Sequence, residues 1–421
     1  MDPPDDKTIK PSGLCDDWTG TQRIHPTVAQ VVKTFVSGLN FQALLDHANS
    51  LRHRTDCKID GEHFQCGKDH VVFALHFDDG VFWIARTPIP SATNFTIGIE
   101  ETKSEIATIQ FIGMHSTIPV PKIYGYNLDE SNPFGAPYVL FEALPGRVLN
   151  SLPMVDENSK VLVYRQVASL MIQIAQLPSW SQIGLIQEYS SNAAFPISNI
   201  GFPIPNLPKQ PAQSSARSYF DLRAERFLEF TLAKGNRDKI AVAWLYRQAI
   251  PYFVSEIFND HTFPLCHADF SNCNILFVDD YNIAGIIDWT WAQSGPWELF
   301  ACFPHEFSRI FYPEKSLDKA SRQLFLEILE EEEQKQDLNV PLARYMGSKA
   351  GRILEITQDY QSMSHGEWLP MENIHELIEL LYGDSHTWED IKKLAWAQLG
   401  ISSITNREST SIEILQPHVL T

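Results

Sequence analysis

Basic residues are scarce in this chain. Its 421 residues include 33 Lys and Arg against 52 Asp and Glu, so the formal net charge at pH 7 is −19. Nucleic acids and anionic membranes are bound through basic surfaces, so the deficit argues against both kinds of partner. We therefore expect no nucleic-acid and no membrane partner. The charge permits a cationic or neutral small-molecule partner and says nothing about oligomeric state.

Long apolar runs and paired cysteine motifs are also missing. No uninterrupted apolar stretch reaches the length of about 18 residues that a transmembrane helix needs. The first six residues are acidic and Pro-rich, unlike a secretory signal. Six cysteines are scattered without a Cys-x-x-Cys pair, which argues against a zinc site or a thioredoxin motif. These features predict a cytoplasmic protein in a reducing compartment.

The pattern of apolar residues changes along the chain. Residues 27–52 show helical spacing interrupted near Gly38, and residues 70–86 alternate as two strands around Asp78-Asp79-Gly80, a turn signal. A helix over 97–114 and a strand over 138–142 follow. Beyond residue 150 the helical period dominates, with helices predicted at 158–176, 216–233, 236–258, 316–336, 340–361, 371–382 and 386–400. The sequence therefore predicts an α+β protein with a small β-rich lobe before a larger helical one.

One stretch, residues 265–289, concentrates side chains that suit metal and proton chemistry. Two β runs end at Val278 and begin again at Ile283, and pairing these two residues would set Asn274 opposite Ile287. Asn274 and Asp288 then become diagonal neighbours, roughly 7–8 Å apart. A carboxylate and an amide oxygen placed together suit a hard cation such as Mg²⁺.

Asp269 lies on the loop that enters this hairpin, close to the predicted cation site. A carboxylate at such a position can orient an acceptor hydroxyl and receive its proton during phosphoryl transfer. His267 is interpreted as an organiser of the loop rather than as the base. The spacing His-x-Asp-x-x-x-x-Asn matches the catalytic-loop signature of protein kinases.

With His267-Ala-Asp269, Asn274 and Ile287-Asp288-Trp289, the chain resembles the aminoglycoside phosphotransferase (phosphotransferase enzyme) family, which has a protein-kinase-like fold. Ala268 replaces the glycine of the family pattern, and the likeness covers about residues 65–303. It implies that Asp269 and His267 form the catalytic loop, that Asn274 and Asp288 bind Mg²⁺, and that ATP, or alternatively GTP, is the donor.

The resemblance also implies the division of the chain. Residues 1–55 would form an N-terminal arm and helices, and residues 56–145 a nucleotide-binding N-lobe. Residues 146–421 would form a helical C-lobe with the catalytic loop and the acceptor site. The turn around Gly67 holds one glycine and is not a G-x-G-x-x-G loop.

The hairpin over 70–86 is predicted to cover the nucleotide. If Phe77 lies opposite Val81, one face carries Val72, Ala74, Ile84 and Arg86, an apolar surface with a cation at its end. We call this set the roof face. The resemblance places Arg86 where the family has the lysine that binds the α- and β-phosphates, with Glu105 as the acid that orients the cation. Arginine keeps the charge but differs from lysine in reach and geometry.

The strand over 138–142 resembles the hinge of the family. There the adenine edge would pair with the backbone of about Glu142 to Leu144, so the identity of these side chains carries little information. 

The leading hypothesis is a small-molecule kinase that transfers the γ-phosphoryl group of MgATP to a hydroxyl, with an amine as the alternative acceptor. A catalytically weak or inactive kinase-like binding protein is the second hypothesis, favoured by Arg86 and by the single glycine at Gly67. A metal-dependent hydrolase using Asp269 and Asp288 is the third, but the sequence has no cluster of ligating histidines. P-loop and Gly-x-Ser-x-Gly motifs are absent. The sequence does not specify the acceptor.

Overall fold

The computed structural model describes residues 20–21, 26–52, 55–67, 69–89, 98–152, 156–188, 195, 197–198, 210–258, 261–304, 318–358 and 371–401. Residues 1–19 and 22–25, most of the predicted N-terminal arm, lie outside this part. The chain divides into two compact units. The first comprises Met1–Ala212, Phe263–Gly295 and Pro304–Asn339, and the second comprises Gln213–Thr262, Pro296–Phe303 and Val340–Thr421. The lobe boundaries after residues 55 and 145 stay a prediction.

The first unit opens with two helices, α1 (Pro26–Ser37) and α2 (Phe41–Leu51), separated as predicted near Gly38. Asn40 begins α2 as its N-cap, because its side chain accepts a hydrogen bond from the Ala43 N–H. A five-stranded antiparallel sheet follows, in the order β1-β2-β3-β5-β4. Its strands are β1 (Cys57–Cys66), β2 (His70–Phe77), β3 (Phe82–Pro88), β4 (Ile123–Asn127) and β5 (Tyr138–Glu142), and helix α3 (Ile99–His115) lies between β3 and β4 in the chain.

The β2–β3 hairpin has the predicted register. Val72 pairs with Arg86, and the Phe77 N–H donates to the Val81 carbonyl at 2.9 Å. Gly80 closes the turn at φ +85°, a conformation that glycine adopts without steric cost. One face of the hairpin is buried against α1 and α2 in the main apolar core, through residues such as Phe73 and Trp83. The opposite face is the predicted roof face.

Two small sheets complete the strands of the first unit. Strands β6 (Arg147–Val148), β9 (Ile275–Phe277) and β10 (Ile283–Ile286) pair in the order β10-β9-β6. Strands β7 (Gly184–Leu185), β8 (Leu265–Cys266) and β11 (Gln293–Ser294) pair in the order β7-β11-β8. Helix α4 (Glu157–Ala175) packs against the helix Asp318–Lys335, where Arg165 is paired with Glu332 at 2.6 Å. Residues 147–148 and 184–185 thus belong to the same small sheets as strands from the stretch over residues 265–289.

The second unit is helical. Helices α5 (Ala216–Lys234) and α6 (Arg237–Phe253) are joined by Gly235 and Asn236, and the remaining helices are Trp297–Phe300, Leu342–Met346, Lys349–Gln358, Met371–Tyr382 and Trp388–Gln398. The single helix predicted over 340–361 is wrong, because the chain breaks at Gly347 and Ser348. The Ser348 hydroxyl accepts the Gly351 N–H at 3.1 Å, as an N-cap does, and starts a new helix there. Among the described residues, no helix combines the length and apolar composition that crossing a membrane requires.

Candidate active site

His267 ties the predicted catalytic loop to the end of the following hairpin. Its Nε2–H donates to the Ile287 carbonyl at 3.1 Å, and its Nδ1 accepts the Asp269 N–H at 3.1 Å. A backbone carbonyl and a backbone N–H fix the roles of the two ring nitrogens, so the ring is the neutral Nε2–H tautomer. Burial lowers the pKa of His267, which also favours the neutral form. Both nitrogens are therefore occupied by backbone groups, which link the loop to the end of the hairpin.

Asn274 fixes the exposed carboxylate of Asp269. The Asn274 Nδ2 donates to both the backbone carbonyl and the Oδ2 of Asp269, each at 2.9 Å. In the described part of the chain, Asn274 Oδ1 has no hydrogen-bonding partner, although the residue is buried. The amide therefore uses its nitrogen to orient Asp269 and keeps its oxygen available for a further ligand.

The β9–β10 hairpin keeps its predicted pairing at the open end but not at the turn. Ile275 pairs with Ile286, and the Ile287 N–H donates to the Asn274 carbonyl at 2.9 Å. The predicted pairing of Val278 with Ile283 is wrong, because Ile283 lies opposite Phe277 and the register shifts before Gly285. The turn closes one residue earlier, with the Val278 N–H bonded to the Asn282 carbonyl and Tyr281 at φ +63°.

Asp288 follows the hairpin in an unusual backbone conformation. Its φ of +60° lies in the left-handed region, which Asp and Asn tolerate better than bulkier residues do. Such strain is concentrated at functional sites in proteins. The conformation places Asp288 Oδ1 2.5 Å from Nη2 of Arg86, while 43% of the Asp288 side chain stays exposed.

Arg86 is the centre of a polar group that we call the Arg86 cluster: Arg86, Glu105, Asp288, His70 and Thr290. Nη1 donates to Glu105 Oε1, whereas Nη2 lies near Asp288, near His70 Nδ1 at 3.0 Å and near Thr290 Oγ1 at 3.1 Å. The Thr290 hydroxyl donates to Glu105 Oε2 at 3.2 Å. The side chains of Arg86 and Glu105 are only 13% and 3% exposed. The structure thus brings together Arg86 and Glu105, which were predicted to pair, with Asp288, which was predicted to bind metal.

Burial and charge act in opposite directions on the acids of the cluster. Burial raises the pKa of Glu105, and Arg86 opposes part of that rise. Burial also acts to raise the pKa of Asp288, but Arg86 and, after it, His70 outweigh this and lower that pKa to about 2. Burial disfavours the charge on Arg86, yet Glu105 and Asp288 raise its pKa. The cluster therefore holds one cation and an ionised Asp288 at neutral pH.

His70 and Thr290 are two members that sequence reasoning missed. A signal for His70 was available, because the predicted register places it opposite Pro88 on the same face as Val72 and Arg86. Burial followed by the charge of Arg86 lowers the pKa of His70 well below its usual value, so its Nδ1 acts as an acceptor. Thr290 lies only two residues after Asp288, but nothing in its identity indicates a role.

The roof face and the predicted hinge lie next to each other in the sheet. Ala74 forms a small buried cluster with Ala143, against which Phe82 and Ile84 pack. Val72 and Ile84 themselves are partly exposed, as residues that contact a ligand would be.

The backbone beyond β5, where the hinge is predicted, leaves one donor without a partner. The Glu142 N–H is bonded to the Lys122 carbonyl at 2.8 Å, and its carboxylate accepts the Lys122 N–H at 3.1 Å. Among the described residues, the Leu144 N–H has no hydrogen-bonding partner, and its side chain packs close to Gly285. Leu144 thus offers a backbone donor beside the β9–β10 hairpin.

Known proteins define the class to which this chain belongs. The family model described as "Phosphotransferase enzyme family" matches residues 83–298, more than half of the 421-residue chain. The chain therefore belongs to the phosphotransferase enzyme family. The predicted α+β, protein-kinase-like fold class is confirmed by this membership together with the order of strands and helices.

Individual relatives match shorter stretches. A subtelomeric hrmA-associated cluster protein of Aspergillus fumigatus is 35% identical over 108 residues, which are 25% of this chain and 19% of that protein. Altered inheritance of mitochondria protein 9 of Zygosaccharomyces rouxii is 30% identical over 115 residues, 27% of this chain and 18% of that protein. The chain thus spans less than a fifth of either relative. The structure of macrolide 2′-phosphotransferase MphH from Brachybacterium faecium is 15% identical, covers 82% of this chain and 100% of its own, and has a TM-score of 0.42.

Proposed function

We propose that the protein is a Mg²⁺-dependent small-molecule kinase that transfers the γ-phosphoryl group of ATP to a hydroxyl of a metabolite. The observation that carries this proposal is the contact between Asp288 and Arg86, which is itself paired with Glu105. Three charged side chains from separate parts of the family pattern converge there, although Asp288 is separated from Arg86 by 202 positions in the chain. GTP as donor and an amine as acceptor are the variants of this proposal.

The oxygen donors near the hairpin fit a magnesium ion. Asn274 Oδ1 has no partner among the described residues, and Asp288 is partly exposed with one carboxylate oxygen held by Arg86. Mg²⁺ prefers few protein oxygens completed by water and phosphate oxygens, which suits one amide and one carboxylate. When bound, the ion would neutralise charge on the transferring phosphates. No group of three or more His, Cys, Asp or Glu side chains in the described ranges is arranged to hold a metal.

Arg86 has donors left for a phosphate. Guanidinium carries five N–H groups. In the described part of the chain, one Nη1 hydrogen and the Nη2 group of Arg86 donate to protein acceptors. Nε–H and the second Nη1 hydrogen therefore stay available for a ligand. Because Nε–H shares an edge of the guanidinium with Nη2 and not with Nη1, the two hydrogens can each donate one charge-assisted hydrogen bond to a phosphate oxygen. We infer that Arg86 braces the nucleotide phosphates while it remains paired with Glu105.

Asp269 is proposed to align the acceptor. Its carboxylate is exposed, and Asn274 Nδ2 holds one oxygen at 2.9 Å. In the transfer step, the acceptor oxygen forms a bond to the γ-phosphorus, the bond from that phosphorus to the ADP oxygen breaks, and the acceptor proton passes to Asp269. His267 keeps the loop in place through its two backbone contacts.

The test is the variant Asp269→Asn, which keeps the shape and the contact with Asn274 but removes the base. Transfer of phosphate from MgATP to a panel of alcohols, amines and fractionated metabolites is expected to fall by about 100-fold or more. Affinity for MgADP should stay near that of the wild type. Asp280→Asn, in the turn of the same hairpin, is the matched control and should retain activity. Transfer at the wild-type rate by Asp269→Asn would remove Asp269 from its role.

A kinase-like binding protein without turnover is the second candidate. The observation that favours it is that Arg86 stands where the family has lysine and holds the predicted metal ligand Asp288. This candidate would be supported if the protein binds MgADP but forms no ADP from MgATP in the presence of any acceptor tested. The formal net charge of −19 suits an amine-bearing acceptor. The cytoplasmic location of the protein stays a prediction.

A further inference from the structure

The Arg86 cluster contains more acceptors than Nη2 has hydrogens. Nη2 carries two N–H groups but lies within hydrogen-bonding distance of three acceptors: Asp288 at 2.5 Å, His70 at 3.0 Å and Thr290 at 3.1 Å. Because the Thr290 hydrogen is donated to Glu105, its oxygen is free to accept from Arg86. The three groups therefore compete for two hydrogens.

Asp288 is the member of the three that can leave. Its side chain is 43% exposed, whereas His70 and Thr290 are each only 7% exposed. The Asp288 carboxylate is also a suitable ligand for a magnesium ion, whereas the His70 imidazole, which already faces the Arg86 guanidinium, is not. When Asp288 binds a cation, His70 and Thr290 remain as two acceptors for the two hydrogens of Nη2.

A lysine could not use this arrangement. Its ammonium group is a single nitrogen with three hydrogens, whereas the guanidinium spans Glu105 with Nη1 and the opposite acceptors with Nη2. His70 and Thr290 are therefore useful only with an arginine at position 86.

We propose, on the basis of the proposed function, that His70 and Thr290 are positioning residues. They hold the Arg86 guanidinium in place when Asp288 binds the metal. Position 86 is thus built for an arginine, with acceptors of its own around the guanidinium. It is not a lysine site in which arginine is a conservative replacement.

The experiment compares two substitutions of the same residue. His70→Asn keeps an acceptor oxygen near the position of Nδ1, whereas His70→Phe keeps the ring size and removes the acceptor. Affinities for MgADP and for metal-free ADP are measured by isothermal titration calorimetry, which requires no acceptor substrate. His70→Phe is expected to weaken MgADP binding about tenfold with a smaller effect on metal-free ADP, and His70→Asn is expected to stay within about threefold of the wild type.

Matched controls separate positioning from structure. His76→Phe alters a histidine on the same strand and face, six positions away and in edge-to-face contact with Phe82, and should leave both affinities unchanged. If His70→Phe does not fold, Thr290→Val and Thr290→Ser provide the same comparison with the second acceptor. Arg86→Lys should weaken MgADP binding as much as His70→Phe does.

The outcomes are distinct. Equal MgADP affinity in His70→Phe and the wild type, or an equal loss for both nucleotides in His70→Phe and His70→Asn, would overturn the inference while leaving the kinase proposal standing. A wild-type chain that binds no MgADP would overturn the proposed function and this inference with it.

Discussion

The buried pair of Arg86 and Glu105 allows a quantitative test of the site without any substrate. Replacing Glu105 with Gln removes one charge and keeps the shape. Breaking a buried ion pair on one side costs about 3–5 kcal/mol, since the other charge is left uncompensated. Arg86 keeps Asp288 as a second carboxylate, so we expect the lower end, about 3 kcal/mol.

Removing the cation of this pair should lower the free energy of unfolding more than removing the acid does. Arg86→Met leaves the buried Glu105 without its cation, and the expected loss is about 4–5 kcal/mol. The double variant removes both charges, so its loss should be smaller than the sum of the two by about 2–3 kcal/mol. The assay is urea unfolding at pH 7 without nucleotide, followed by circular dichroism and fluorescence. The control is the exposed pair of Lys58 and Asp78, where Lys58→Met should leave the midpoint nearly unchanged.

Additive losses in this cycle would refute the reasoning. The same holds if each single variant costs less than about 1 kcal/mol, the value typical of exposed pairs. Either result would mean that Arg86 and Glu105 are solvated in the folded chain and do not form the fixed cation that the proposed nucleotide site requires.

Two further predictions concern pH and backbone conformation. Because the cluster lowers the pKa of Asp288 to about 2 from 3.8, its ionised form stabilises the folded chain above about pH 4, and this contribution is lost as the pH falls towards 2. Urea midpoints of the wild type and Asp288→Asn should therefore converge over that range, and a constant difference would contradict this. Gly146→Ala should lower stability by about 2 kcal/mol or more, because Gly146 has φ +97° and a Cβ would lie 2.7 Å from the Phe277 carbonyl oxygen. Gly113→Ala, in α3 with open space around it, should instead stabilise by about 0.5–1 kcal/mol in the same unfolding assay.

The sequence specified the β2–β3 hairpin because pattern and turn chemistry agree there. Alternating residues fix which face is buried, and Asp78-Asp79-Gly80 fixes the loop length, so the pairing of Val72 with Arg86 could be predicted. In the β9–β10 hairpin the two signals disagree. Tyr281 adopts φ +63°, which its residue type does not indicate, and the shortened turn moves Ile283 by one position.

The open end of that second hairpin was nevertheless predicted correctly, and the reason is local. The irregularity lies between Ile283 and Gly285, so the pairing from Leu276 towards Asn274 is independent of how the turn closes. The relation of Asn274 to Asp288 depends only on this open end. The motif therefore placed these two residues correctly in the pairing even though the loop that joins its strands was mispredicted.

The partners of Arg86 other than Glu105 are the part that sequence reasoning did not supply, although the register of β2 and β3 carried a signal for His70. A motif assigns charges to positions, and in this way it paired Arg86 with Glu105. It does not count hydrogen-bond donors, and an arginine has five where a lysine has three. Each extra buried donor needs an acceptor, and His70 and Thr290 supply two of them from strands and turns far apart in the chain. A change of cation at position 86 thus requires a change in its surroundings, and such compensation becomes visible only once side chains 204 positions apart are seen in contact.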